Sequence, residues 1–102
     1  MGYCVYILYS PSADSFYKGQ TADLKDRICR HNHGYEKATL HGRPWKILWT
    51  TSKNTKAEAV RLEKKLKNLS RERLIRFIFS HSEGIADPDA LLLLEKGTGC
   101  IP

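Results

Sequence analysis

Tyr3-Cys4-Val5-Tyr6-Ile7-Leu8-Tyr9-Ser10-Pro11-Ser12-Ala13-Asp14-Ser15-Phe16-Tyr17-Lys18-Gly19-Gln20-Thr21 is the stretch whose reading decides the fold. Tyr3 to Tyr9 is almost wholly apolar and rich in β-branched and aromatic residues. That is the composition of a strand buried on both faces, and so central in its sheet. Ser10 to Ser15 has turn chemistry, and Phe16 to Gln20 returns as a second strand, which makes a β-hairpin. Side chains alternate along a strand, so Tyr6 lies opposite to Val5 and Ile7. Pairing in the hairpin is able to set Tyr6 and Tyr17 on one face.

The elements downstream follow from caps and periodicity. Thr21 or Asp23 caps a helix in which Leu24 and Ile28 face the core. Arg27 and His31, also four apart, share a neighbouring face, and Gly34 closes the helix. Tyr35 to Arg43 reads as a loop carrying Lys37, His41 and Arg43, ended by Pro44. Trp45 to Thr51 is a third strand, with Trp45 and Trp49 on the same face. Thr55 and Glu58 form a capping box that opens the strongest helix, with an apolar stripe of Ala59, Leu62, Leu66 and Leu69. Ser70 caps another helix, facing inward with Leu74, Phe77 and Ile78. The order β-β-α-β-α-α predicts an α+β fold, a small three-stranded antiparallel sheet flanked by helices. Residues 1–81 form the main unit. Residues 82–102 form a C-terminal extension with one short helix from Pro88 to Lys96 and a loose tail from Gly97.

At 102 residues and 41% apolar content, the chain is one domain with one modest core. No run of 18 apolar residues occurs, and the start of the chain lacks the basic-then-apolar pattern of a secretory signal. Cys4, Cys29 and Cys100 are odd in number and widely spaced, which argues against a disulfide framework and for a reducing cytoplasm. A formal charge of +6 points to a polyanion such as nucleic acid, or serves solubility alone.

Several residues carry chemistry, each beside a plainer reading. Tyr6 and Tyr17 are general-base candidates or core tyrosines with satisfied hydroxyls. A phenol of pKa about 10 needs nearby positive charge to act as a base at neutral pH. Lys18 and Arg27 are the local sources. Arg27 and His31 suit phosphate binding and proton transfer, or belong to a solvated basic helix face with Lys25 and Arg30. Glu63 can hold one Mg²⁺ with waters completing its shell, or pairs with Lys67 one turn on. Cys29 and His33 are one turn apart, but no second ligand pair completes a zinc site.

Taken in order, these residues resemble the GIY-YIG nuclease superfamily, in particular its small stand-alone single-domain group. Cys4-Val5-Tyr6 stands at the GIY segment and Tyr17-Lys18-Gly19 at the YIG segment. Thr21, Asp23, Leu24 and Arg27 follow the pattern T-x-D-L-x-x-R. Ala59, Leu62, Glu63, Leu66 and Lys67 follow A-x-x-L-E-x-x-L-K, and His41 to Trp49 is typical of the stand-alone group. The similarity covers residues 3 to 79. It implies Tyr6 and Tyr17 at the attacking water, Arg27 on the scissile phosphate, His31 assisting, and Glu63 as the protein ligand of one Mg²⁺ or Mn²⁺. Gln20 stands where several relatives have Lys, and Ile75 where some have Asn.

The resulting expectation is a divalent-metal-dependent endonuclease acting on DNA, without membrane association, as a monomer or homodimer. RNA remains open as a substrate. Lys18, Lys25, Arg30, Lys37, Arg43 and Lys46 would contact the nucleic-acid backbone, favouring DNA shape or single strands over a long recognition site. The alternatives are a nucleic-acid-binding module with weak cleavage, suggested by Gln20, and an interaction module built on Leu91 to Leu94.

Overall fold

The computed structural model describes residues 2–35 and 37–97. Strands β1 (Tyr3–Ser10), β2 (Ser15–Thr21) and β3 (Lys46–Lys53) form one antiparallel sheet in the order β2-β1-β3. The apolar first strand is therefore the central one, as its composition requires. In chain order the helices are α1 (Leu24–Asn32), α2 (Lys56–Lys67), α3 (Arg71–Ser80) and α4 (Pro88–Gly97). The α+β architecture agrees with the reading of the sequence. Lys37–Gly42 departs from it by forming a 3-10 turn instead of an irregular loop.

Local chemistry sets the helix ends. The Asp23 carboxylate accepts from the Asp26 amide at 3.0 Å to start α1. At the far end Tyr35 N–H donates to the Arg30 carbonyl and Gly34 N–H to that of His31. Gly34 adopts φ +80°, which is a Schellman ending that a residue with a Cβ resists. Thr55 and Glu58 make the expected reciprocal cap of α2, and the Ser70 hydroxyl caps α3.

The sheet has a core on each face. On one face Val5, Ile7 and Tyr9 pack with Leu48, Trp49, Ala59, Leu66, Leu74 and Ile78 under α2 and α3. On the other face Tyr6, Leu8 and Trp45 pack with Tyr17, Leu24 and Ile28 of β2 and α1. Fully burying a side chain such as Ile7 or Leu48 is worth about 1.5–3 kcal/mol.

The two tryptophans lie on opposite faces, contrary to the expectation from their spacing. Ile7 pairs with Trp49 while the next residue, Leu8, pairs with Ile47. The bulge inserts Leu48, so Leu48 and Trp49 both face α2 while Ile47 and Trp45 face α1.

After His81 the chain returns to the same core. Ile85 bridges to Trp49, Ala86 N–H donates to the Leu48 carbonyl at 2.9 Å, and Ala90 is fully buried. The helix expected from Pro88 is present. The remainder of the expected tail, 98–102, lies outside the described residues.

Candidate active site

Register places the two tyrosines together. Tyr6 pairs with Gly19 and Leu8 with Tyr17, so Tyr6, Leu8, Tyr17 and Gly19 share the α1 face. The Tyr6 and Tyr17 rings lie 6.3 Å apart between centroids. A Cβ on Gly19 would fall 2.6 Å from the Tyr6 hydroxyl oxygen and 2.8 Å from Cζ. Glycine is therefore the residue that lets the Tyr6 hydroxyl lie across its neighbouring strand.

Helix α1 lies over this face. Leu24, Arg27, Ile28 and His31 fall at i, i+3, i+4 and i+7, one inward stripe. The alternative of a solvated basic face is thus wrong for Arg27 and His31, while Lys25 and Arg30 are exposed. His31 is fully buried. Its Nε2 shares a 3.1 Å hydrogen bond with the Tyr6 hydroxyl, and its Nδ1 shares one of 2.8 Å with the Thr39 hydroxyl. The Tyr17 ring meets the imidazole edge-on at 4.9 Å.

Tyr6 has no solvent exposure. Burial pushes its pKa well above the ordinary phenol value, helped by Tyr17 and by the negative charge of Glu63. The Arg27 guanidinium opposes this by charge and by a hydrogen bond. Arg27 Nε is buried without a hydrogen-bond partner. An orphaned donor of this kind calls for an explanation, and a phosphate oxygen, like a carboxylate, is an acceptor that suits a guanidinium.

Glu63 on α2 is half-buried, and its carboxylate pairs with Lys67 Nζ at 3.2 Å. Both readings of Glu63 thus meet in one residue: it has its i,i+4 partner, and its charge reaches Tyr6. Among the described residues no group of three or more His, Cys, Asp or Glu could hold a metal ion. That removes a protein-built cage there and leaves a lone carboxylate. Such a donor set fits one hard, largely hydrated cation and does not fit a two-metal clamp. Cys29 Sγ and His33 Nδ1 lie 3.4 Å apart, a pair of ligands and no more.

The expected backbone-contacting cations divide between the faces. Lys25 and Arg30 on α1 and Lys37 and Arg43 in and after the 3-10 turn lie on the tyrosine side, whereas Lys46 at the start of β3 pairs with Tyr9 and so faces α2. Lys18 pairs with Ile7 and so faces α2. Burial and the charge of Lys67 lower its pKa, and it lies on the opposite face of the sheet from Tyr6. Gln20, two residues on, shares the Lys18 face.

Thr39, Asn32 and Trp45 also belong to this constellation, and sequence reasoning missed the first two. Trp45 Nε1 donates to the Thr39 carbonyl at 2.7 Å. The Asn32 side chain accepts from Trp45 N–H at 2.6 Å and donates to the Trp45 carbonyl at 3.2 Å. No periodicity marks Thr39. A threonine in a polar, Gly-containing stretch reads as loop, and only the fold shows it to be buried.

A guanidinium with a spare donor thus lies on the same face as a buried phenol and imidazole in a basic chain. The chain belongs to the GIY-YIG family: the family model for the GIY-YIG catalytic domain matches residues 2–76. It is 35% identical over 71 residues to a UPF0213 protein of Staphylococcus saprophyticus, covering 69% of this chain and 83% of that one. It is 37% identical over 68 residues to a UPF0213 protein of Halobacterium salinarum, covering 66% and 87%. The solution NMR structure of a UPF0213 protein from Bacillus halodurans superposes with a TM-score of 0.51 at 34% identity, covering 76% of this chain and 83% of that one. The chain thus carries the catalytic domain of a nuclease-domain family over most of its length. No helix among the described residues is long and apolar enough to cross a membrane.

Proposed function

We propose that this protein is a divalent-metal-dependent endonuclease that hydrolyses DNA phosphodiester bonds. It prefers branched or single-stranded DNA to a long recognition sequence. The observation that carries this reading is the buried Arg27 Nε without a partner, beside a Tyr6 hydroxyl already hydrogen-bonded to His31. The catalytic unit spans residues 1–81, with 82–102 as an extension whose segment from Ile85 to Ala90 packs on its core.

Arg27 binds the scissile phosphate through its fork of donors and offsets charge growing on the oxygens. Tyr6 and half-buried Tyr17 flank the attacking water. A phenol with a raised pKa is protonated at rest, so Tyr6 takes a proton from water only as its own passes on. His31 Nε2 is the acceptor in contact. Water oxygen bonds to phosphorus as one P–O ester bond breaks. Glu63 would hold one Mg²⁺ or Mn²⁺, whose chemistry is to polarise the phosphate and stabilise the leaving oxygen. Lys25, Arg30, Lys37 and Arg43 track the nucleic-acid backbone, and Lys46 meets it only where it passes around the β3 edge. Lys18 contacts a strand only where it passes around the β2 edge.

A second reading is a nucleic-acid-binding module that cuts poorly. It is favoured by Lys67 lying on the carboxylate that would hold the metal and by Gln20, which supplies no charge.

The test is cleavage of end-labelled single-stranded, duplex, flapped and four-way DNA, with an RNA control, in Mg²⁺, Mn²⁺ or EDTA. Glu63→Ala and Arg27→Ala are purified alongside. Metal-dependent cutting lost in both variants supports the nuclease. Equal cutting by wild type and variants shows contamination and rejects it. Binding without cutting selects the second reading.

A further inference from the structure

We propose that Thr39 is the positioning residue that fixes the tautomer and orientation of His31, and so makes Nε2 the acceptor of the Tyr6 proton. This rests on the nuclease reading of the same site.

The argument starts at Tyr6. Its hydroxyl has one proton, and its side chain is fully buried. The positive charge of the nearby Arg27 guanidinium opposes the raised pKa of the phenol, and a guanidinium only donates. The phenol oxygen is therefore an acceptor toward Arg27, and its single proton is free to point elsewhere. His31 Nε2 lies 3.1 Å away. If Nε2 carried its own hydrogen, the buried Tyr6 proton would lose this partner, at the cost of an unsatisfied donor. Nε2 is thus the lone-pair nitrogen, and the neutral ring carries its proton on Nδ1. That proton points to the Thr39 hydroxyl oxygen at 2.8 Å.

Thr39 is in turn held firmly. It is fully buried, although it lies in the polar 3-10 turn Lys37–Gly42. The indole of Trp45 donates to its carbonyl. Gly42 lies so close to that indole that a Cβ would fall 2.3 Å from Cζ2. The backbone of Trp45 is gripped on both its N–H and its carbonyl by Asn32, the residue next to His31. His31, Thr39, Trp45 and Asn32 thus form a closed circuit of contacts. A hydroxyl can donate or accept; with Nε2 turned to the Tyr6 proton, the Thr39 hydroxyl accepts from Nδ1–H and orients the imidazole.

When water attacks phosphorus from the tyrosine side, its oxygen bonds to phosphorus as the P–O bond to the leaving oxygen breaks, and the proton balance is simple. One water proton goes to the Tyr6 oxygen, and the Tyr6 proton goes to His31 Nε2. The imidazolium so formed keeps its Nδ1 proton on Thr39.

The test reads the tautomer directly. Long-range ¹H–¹⁵N NMR spectra of the ¹⁵N-labelled full chain are recorded at a pH where His31 is neutral. Wild type and Thr39→Ser should show Nδ1 protonated and Nε2 as the unprotonated nitrogen. Thr39→Val, which removes the hydroxyl and keeps the shape, should show mixed or reversed protonation. In cleavage assays Thr39→Val should lower kcat by on the order of 10²-fold with KM for DNA little changed, and Thr39→Ser should recover most of the loss. A wild-type spectrum with Nε2 protonated overturns the proposal even if Thr39→Val fails to fold. So does a folded Thr39→Val with an unchanged tautomer. A wild type with the expected tautomer that cuts no nucleic acid rejects the nuclease reading and leaves the orienting role of Thr39 supported.

Discussion

Gly19 shows how one missing side chain permits the site. Gly19→Ala would drive a methyl group into the Tyr6 hydroxyl. Overpacking of this kind costs about 1–3 kcal/mol, and it displaces the atom that touches His31. Gly19→Ala should therefore lose cleavage far beyond its effect on folding, measured as kcat beside the thermal midpoint. Tyr6→Phe removes the hydroxyl bound to His31, and loss of a proton-transfer group lowers kcat by about 10²–10⁴-fold. Parallel kinetics of Tyr6→Phe and Tyr17→Phe test the assignment. A larger loss in Tyr17→Phe would transfer the proton-accepting role to Tyr17. Both tyrosines and Arg27 stand out in the sequence as reactive types, whereas the burial of His31 and the part played by Thr39 depend on what α1 and the 3-10 turn cover.

At the scale of elements, the hairpin turn is tied to α3 through Asp14. Tyr9 donates to its carboxylate at 2.7 Å, Arg71 pairs with it at 2.8 Å, and Asp14 itself sits at φ 49°. These contacts hold the Asp14 pKa below its ordinary 3.8, the Tyr9 hydrogen bond contributing most. Tyr9 is pushed up to about 12, by burial first and then by Asp14. A depressed carboxylate pKa contributes stability that is present above its unfolded value and lost as pH falls through the folded value. Asn keeps the left-handed backbone acceptable. The thermal midpoint of wild type should therefore exceed that of Asp14→Asn at neutral pH, with the gap closing in acid below about pH 4. The exposed Arg71 pair adds no more than about 1 kcal/mol. The β3 bulge is the second telling element. Leu48→Ala empties a fully buried position and should cost about 2–5 kcal/mol by denaturant unfolding. Strand alternation alone put Trp45 and Trp49 on one face. A bulge has no marker in this sequence, because Leu48 and Trp49 are both apolar on either assignment.

For the whole molecule, the cations around the tyrosine side act together. Contact with about four phosphates sets a slope of log K against log salt near −3 to −4. Lys25→Ala or Arg30→Ala should each reduce that slope by about 0.9, measured by fluorescence anisotropy with labelled DNA. Lys18→Ala, on the α2 face of the sheet, should change it less. A slope near zero in wild type would reject the basic face. The extension also belongs to the whole molecule. Ending the chain at Gly84 removes the Ile85 bridge, the Ala86 bond to Leu48 and buried Ala90. It also bares part of the β3 edge, and open edges invite association. A loss of about 1–2 kcal/mol corresponds to a thermal midpoint lower by roughly 4–16 °C.

The sequence by itself determined the central strand, the hairpin, the helix caps and the family, because these rest on local composition and on spacing within one element. Periodicity reports which residues share a face of a helix or strand, so Arg27 and His31 were readable as neighbours. Tertiary structure alone decided that their face turns inward, that Lys18 faces away from Tyr6, and that a bulge separates the tryptophans. It alone brought Thr39 against His31 across eight residues of chain. Those facts depend on how elements pack, on register between strands and on hydrogen bonds closed over a distance, and no local pattern in the chain encodes them.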